Sequence, residues 1–307
     1  SKYISDGKLV WVKNEEYETR DSDHYSIEGV TVKILKAAGT DPEAALNQFL
    51  AGNLSSVSIP STKVDQYVGQ PGVVASIGDS NFKINVNTCN EEQWEELFGE
   101  NGTICQTDKA DYWELEPALS NPDFVDGISF AINRKEFAQK MGRQVGFEYF
   151  ADVYLSDPEN GIPYNSTQVH LDNLEELGYL SGTEFGYSEE KAKDSFNKAI
   201  DALMAAGAYE DGDEIHIEIA WQEFADENTY HKPIKQYLEN AFNACTKAVE
   251  HNLKLVCDFW ASATWSDVYY KKMMVGQFDL GFGSVSGNTY DPLNFLEVLK
   301  SDNSSGF

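Results

Sequence analysis

The chain has 307 residues, with 23 Lys and Arg against 51 Asp and Glu, a formal net charge of −28. A surplus of that size rules against a phosphate-backbone partner, so nucleic acid is excluded, and the scattered acids read as a solvated surface. Apolar residues at 41% and aromatic residues at 13% exclude general disorder, and the length exceeds what one hydrophobic core usually organises, so two lobes are expected.

In chain order, alternating or β-branched apolar runs predict strands at 8–13, 30–36, 82–87, 214–220, 253–260 and 278–282. Helical periodicity predicts helices at 42–51, 91–98, 122–141, 189–206, 230–250, 264–275 and 292–300. The helix at 189–206 is the best specified. Ser188 caps it, Glu189 and Glu190 suit its positive end, and Ala192, Phe196, Ala199, Ile200 and Leu203 form one face before Gly207 stops it. Alternation of helix and strand through 189–282 argues for an α/β lobe with largely parallel pairing. The stretch 142–187, rich in Gly, Pro, Asn and Tyr, reads as a crossover between lobes. Phe278-Asp279-Leu280 then leads into a small-residue loop, Gly283, Ser284, Ser286, Gly287 and Asn288, whose backbone can approach a ligand closely. Asp291 and Pro292 supply the cap and first turn of the last helix, which carries Leu293, Leu296 and Leu299.

Catalytic and metal motifs are thin. Neither a nucleophile elbow, a phosphate-binding glycine loop nor a zinc-protease motif occurs. His24, His170, His216, His231 and His251 are dispersed without ligand-like spacing, and Asp211-Gly212-Asp213-Glu214 lacks the spaced ligands of a calcium loop. The residues therefore predict a non-enzyme with no metal and no cofactor. Of the four cysteines, Cys89 and Cys105 flank a Gly- and Glu-rich excursion that a bridge would staple, while Cys245 and Cys257 read as buried thiols.

Five segments together carry a family resemblance. Lys8-Leu9-Val10-Trp11-Val12-Lys13-Asn14-Glu15-Glu16-Tyr17 is followed by Ala44-Ala45-Leu46-Asn47-Gln48-Phe49-Leu50-Ala51-Gly52 and Gly127-Ile128-Ser129-Phe130-Ala131-Ile132-Asn133-Arg134-Lys135. Ala205-Ala206-Gly207-Ala208-Tyr209 and the strand–loop–helix at 278–300 complete the set. In this order and spacing the chain resembles the extracellular solute-binding proteins of the peptide/dipeptide/nickel transport family.

The resemblance implies an α/β fold of the periplasmic-binding-protein type II, two lobes with mixed sheets flanked by helices. Residues 1–145 would belong to the first lobe and 146–307 to the second, with a pocket loop near 283–292. It also implies that this stretch is internal to a longer protein that begins before it and continues after Phe307. The function implied is the extracytoplasmic substrate-binding component of an ABC importer, monomeric and lipid-anchored, which captures an oligopeptide-like solute between two lobes and delivers it to membrane permease subunits. By position the resemblance assigns ligand contacts to Asn87, His231, Trp265, Ser284, Val285, Ser286 and Asn288. Peptide-binding members carry Asp where Asn288 stands, and that Asp pairs with the ligand's α-ammonium. A neutral amide lacks this charge-assisted bond, so binding is expected to depend only weakly on a free ligand amine. The family also includes binders of sugars and metal chelates. A ligand-sensing or interaction domain on the same fold, or a secreted hydrolase with its catalytic lobe elsewhere, are the other readings.

Overall fold

A computed structural model describes residues 2–4, 7–14, 16, 26–39, 41, 43–75, 78–146, 148–222, 227–262, 264–286, 296 and 300. It divides into two compact units, Ser1–Pro71 and Gly72–Phe307. The first holds an antiparallel three-stranded sheet of β1 (Lys2–Ile4), β2 (Lys8–Val12) and β3 (Gly29–Lys33), followed by α1 (Ala44–Leu50) and α2 (Val64–Tyr67). Among the described residues of this unit, Leu46 is the one fully buried hydrophobic side chain, and Trp11, Val30 and Val32 of the sheet stay exposed.

The second unit begins with β4 (Ser80–Val86), α3 (Glu91–Phe98), α4 (Pro122–Ala131) and α5 (Arg134–Lys140). It continues with the hairpin of β5 (Leu155–Asp157) and β6 (Ile162–Pro163), then α6 (Gln168–Glu176) and α7 (Glu189–Ala205). The last elements are β7 (Glu214–Gln222), α8 (Glu227–Asn243), α9 (Thr246–Glu250), β8 (Lys254–Ser262), α10 (Trp265–Val268) and β9 (Leu280–Ser286). The strands expected around 214–220, 253–260 and 278–282 share one sheet, of order β4-β9-β7-β8. β7 runs parallel to β8 and β9, whereas β4 is antiparallel to β9 from Ser80↔Ser286 to Val86↔Leu280. The sheet is therefore mixed. The division expected near residue 145 falls inside this unit, since β4 and β9 are neighbours in one sheet.

The main core lies on one face of the sheet. Ile215, Ile217, Ile219 and Trp221 of β7 and Leu280 and Phe282 of β9 pack with Phe124 and Ile128 of α4, Phe196 and Ile200 of α7, and Leu238 and Phe242 of α8. The α7 helix forms as its sequence predicts: the Ser188 side chain accepts the Lys191 N–H, and Ala192, Phe196, Ala199, Ile200 and Leu203 are buried. α4 approaches it so closely that a Cβ on Gly127 would lie 2.5 Å from the Phe196 ring.

Three expected helices are shorter than the periodicity implies, each for a local reason. The helix at 122–141 breaks where Ile132 turns extended and the Asn133 side chain accepts the Glu136 N–H, capping a new helix. The helix at 230–250 starts earlier, places Pro233 in its interior, and breaks at extended Cys245. There Asn197 of α7 accepts the Lys247 N–H and caps α9 from outside. The helix at 264–275 is one α turn followed by a π turn over Tyr269–Met273. The last helix, at 292–300, lies outside the described residues, apart from Leu296, which packs against Phe150 and Tyr154, and Lys300. The Cys89–Cys105 bridge is not formed: all four cysteines are free. Cys89 and Cys105 instead pack against the Trp94, Phe98 and Trp113 cluster. Burial pushes the Cys245 and Cys257 thiols up to about 11 and about 12, as suits inert core residues.

Candidate functional site

The segment expected as a small-residue loop is the C-terminal half of β9. Ser284, Val285 and Ser286 pair with Phe82, Asn81 and Ser80 of β4, so regular backbone hydrogen bonding to one neighbour holds them extended. The other neighbour leaves earlier. β7 pairs with β9 at Ile219↔Leu280 and Ala220↔Gly281 and then diverges. From Phe282 to Ser286, β9 has β4 as its one strand partner among the described residues. Its second edge there presents main-chain groups with no ladder to satisfy them, the arrangement that accepts an added strand.

Trp265 covers one face of this stretch of β9. It opens α10, which Thr264 caps by accepting the Asp267 N–H. Its indole sits on the Cα of Gly283, where a Cβ would lie 2.5 Å from Cη2. The ring is half-buried and packs with Val268, Met273 and Tyr269. Ser284 and Ser286 are exposed, whereas the side chain of Val285, on the same face as the Trp265 ring, is half-buried against Phe150 and Tyr154. Trp265 therefore meets this stretch of β9 at the backbone of Gly283, and the side chains of Ser284 and Ser286 alternate to the opposite face of the sheet.

Asn87 does something else. Its side-chain N–H groups donate to the carbonyls of Gly276 and Phe278 at 3.0 and 2.9 Å, and its Oδ1 accepts the Cys89 N–H at 3.3 Å. Its backbone N–H reaches the Asp279 carbonyl at 2.9 Å. Buried and saturated, Asn87 pins the turn that launches β9. His231 lies on α8 at a position whose side chain is outside the described residues, as is Asn288 altogether.

Below the turn runs a buried polar network that periodicity could not reveal. Lys272 is 1% exposed; its ammonium reaches the Glu218 carboxylate at 2.5 Å and lies over the Tyr112 and Trp260 rings. Asp279 accepts the Glu218 N–H at 2.8 Å, and burial raises its carboxyl to about 6. Burial likewise raises Glu116 to about 7, against the acceptance of the Ala118 N–H and with a smaller contribution from Asp279, while Tyr209 hydrogen-bonds the same carboxyl. The network fixes the start of β9. Among the described residues, no group of three or more His, Cys, Asp or Glu is placed to hold a metal ion. No described helix is long and apolar enough to cross a membrane.

An open strand edge beside an aromatic ring can hold an extended ligand. The fold recurs in solved binding proteins of the periplasmic type II class. The peptide-bound OppA of Listeria monocytogenes superposes with a TM-score of 0.60 at 16% identity, over 97% of this chain and 47% of that one. The substrate-binding domain of an oligopeptide ABC transporter from Bacillus anthracis gives 0.60 at 14%, over 97% and 47%. Across residues 1–307 the chain matches the bacterial extracellular solute-binding proteins, family 5, middle portion, and it belongs to that family. It is also 22% identical to the oligopeptide-binding protein SarA of Streptococcus gordonii, over 96% of this chain and 44% of that protein. The chain thus spans about half the length of these relatives.

Proposed function

We propose that the chain is the ligand-holding part of an extracytoplasmic substrate-binding protein that takes up an oligopeptide-like solute by main-chain pairing on the free edge of β9 and hands it to the permease of an ABC importer. The observation that carries this is the end of β7–β9 pairing at Gly281, which leaves one edge of Phe282–Ser286 without a strand partner among the described residues, with Trp265 over Gly283. Backbone pairing gives affinity with little reading of ligand side chains, and the ring supplies apolar contact. The names of the relatives, each an oligopeptide- or peptide-binding protein, support the solute class. The relatives are named as binding proteins, which supports capture without turnover; the protein acts as a monomer anchored outside the membrane.

Calorimetric titration of the intact protein with peptides of several lengths, sugars and nickel chelates tests the reading. Peptides of unrelated sequence are expected to bind and to be recovered uncleaved. Because Asn288 is neutral, N-acetylated forms should bind within tenfold of the free forms, a difference below about 1.4 kcal/mol. Binding of a sugar or chelate with no binding of any peptide would overturn the substrate class.

A further inference from the structure

We infer that Lys83 is a specificity residue of this site and anchors a carboxylate of the ligand; the inference rests on the peptide reading above and sharpens it. Residues paired across antiparallel strands point to the same side of a sheet. Lys83 pairs with Gly283, so its side chain leaves the sheet on the face where the Trp265 indole covers Gly283. An added strand on the open edge of β9 would lie two strand spacings from β4, about 10 Å. A four-carbon lysine stem and a carboxylate arm of the ligand close such a gap from opposite sides.

The surroundings of Lys83 make it a receptor for an anion. It is half-buried, and its ammonium lies 5.4 Å from the centre of the Tyr149 ring. The neighbours on its own strand face are neutral and already committed: Asn81 donates to the Glu148 and Tyr149 carbonyls, and Asn85 donates to the Gly281 carbonyl. Among the described residues no carboxylate forms an ion pair with Lys83, although Lys63, Lys109, Lys135, Lys140, Lys198 and Lys272 each have one. Among the same residues Arg134 and Lys191 are also half-buried without a carboxylate, but they donate to Ser129 and to the Gly178 and Ser181 carbonyls. Desolvation holds its ammonium below the usual lysine value, and no opposing anion offsets that cost. A ligand carboxylate would offset it. The carboxylate has two sources, the C-terminus of a peptide or an acidic side chain.

Isothermal titration separates them. The intact protein is titrated with matched peptides ending in a free acid or an amide, and with matched peptides carrying Glu or Gln at each position. The expected result is at least a tenfold preference for one carboxylate-bearing partner over its neutral isostere: acid over amide assigns the C-terminus, Glu over Gln assigns a side chain. Lys83→Met should abolish that preference while leaving the affinity for the neutral isostere within threefold, and Lys83→Arg should retain part of it. Peptide binding without any acid preference in the unsubstituted protein, or a preference that survives Lys83→Met, overturns the role of Lys83 and leaves the peptide reading standing. No binding of any peptide overturns both.

Discussion

Gly283 and Trp265 depend on each other, because only a residue without a Cβ lets the edge of the indole sit on the strand. Truncating the ring removes the apolar side of the site and leaves the sheet intact. Trp265→Ala should therefore weaken peptide binding tenfold or more with an unchanged far-ultraviolet circular dichroism spectrum, checked by parallel titrations; equal affinity would remove Trp265 from the site. Glu116 and Asp279 carry a second prediction. Their folded values of about 7 and about 6 stand above the ordinary 4.5 and 3.8, so between about pH 4 and 7 the folded state binds more protons than the unfolded one. The contribution of these two carboxyls to stability is present below about pH 4 and is lost as pH rises through 6 and 7. Glu116→Gln should flatten part of that fall in urea midpoints measured across this range, and an unchanged slope would contradict the burial of Glu116. At this scale the resemblance assigns both Trp265 and Asn87 to the ligand; Trp265 lies over Gly283 of β9, whereas the Asn87 side chain is engaged by the carbonyls of Gly276 and Phe278. Nothing in the spacing of Asn87 reports that its partners lie about 190 residues away, at separations of 189 and 191.

Elements set the shape of the edge. α4 and α7 meet at Gly127, where the Phe196 ring fills the space a Cβ would need. Gly127→Ala gains up to about 1 kcal/mol of helix propensity but overpacks a buried ring, which costs about 1–3 kcal/mol. A net loss of about 1 kcal/mol is expected in denaturant unfolding, and a gain would show that α4 can shift away from α7. The positions of most helices and strands were legible in periodicity, as α7 illustrates. Their interruptions were not, because they depend on side-chain caps: Asn133 breaks one helix from within, and Asn197 caps α9 from another helix. The end of β9 was misread as loop for a related reason. Gly283, Ser284 and Ser286 have poor strand propensity, and pairing with β4 overrides it.

For the whole molecule, the proposed mode of capture is an extended solute added as a further strand on β9. The mixed sheet makes this available: among the described residues β4 completes one side of β9 along its length, and β7 completes the other only at its start. That the strands at 214–222, 254–262 and 280–286 share a sheet followed from the α/β alternation of the sequence, but the insertion of β4 beside β9 did not, since strands separated by about 200 residues leave no local trace of their pairing. Main-chain pairing also predicts which ligand atoms matter. In a β-ladder, alternate residues of the added strand direct their N–H groups to the partner. The most direct measurement is a titration of the intact protein with one tight-binding peptide N-methylated at each position in turn. Losses of tenfold or more are expected at alternate positions with small effects between them, whereas uniform tolerance of methylation would contradict strand addition on β9.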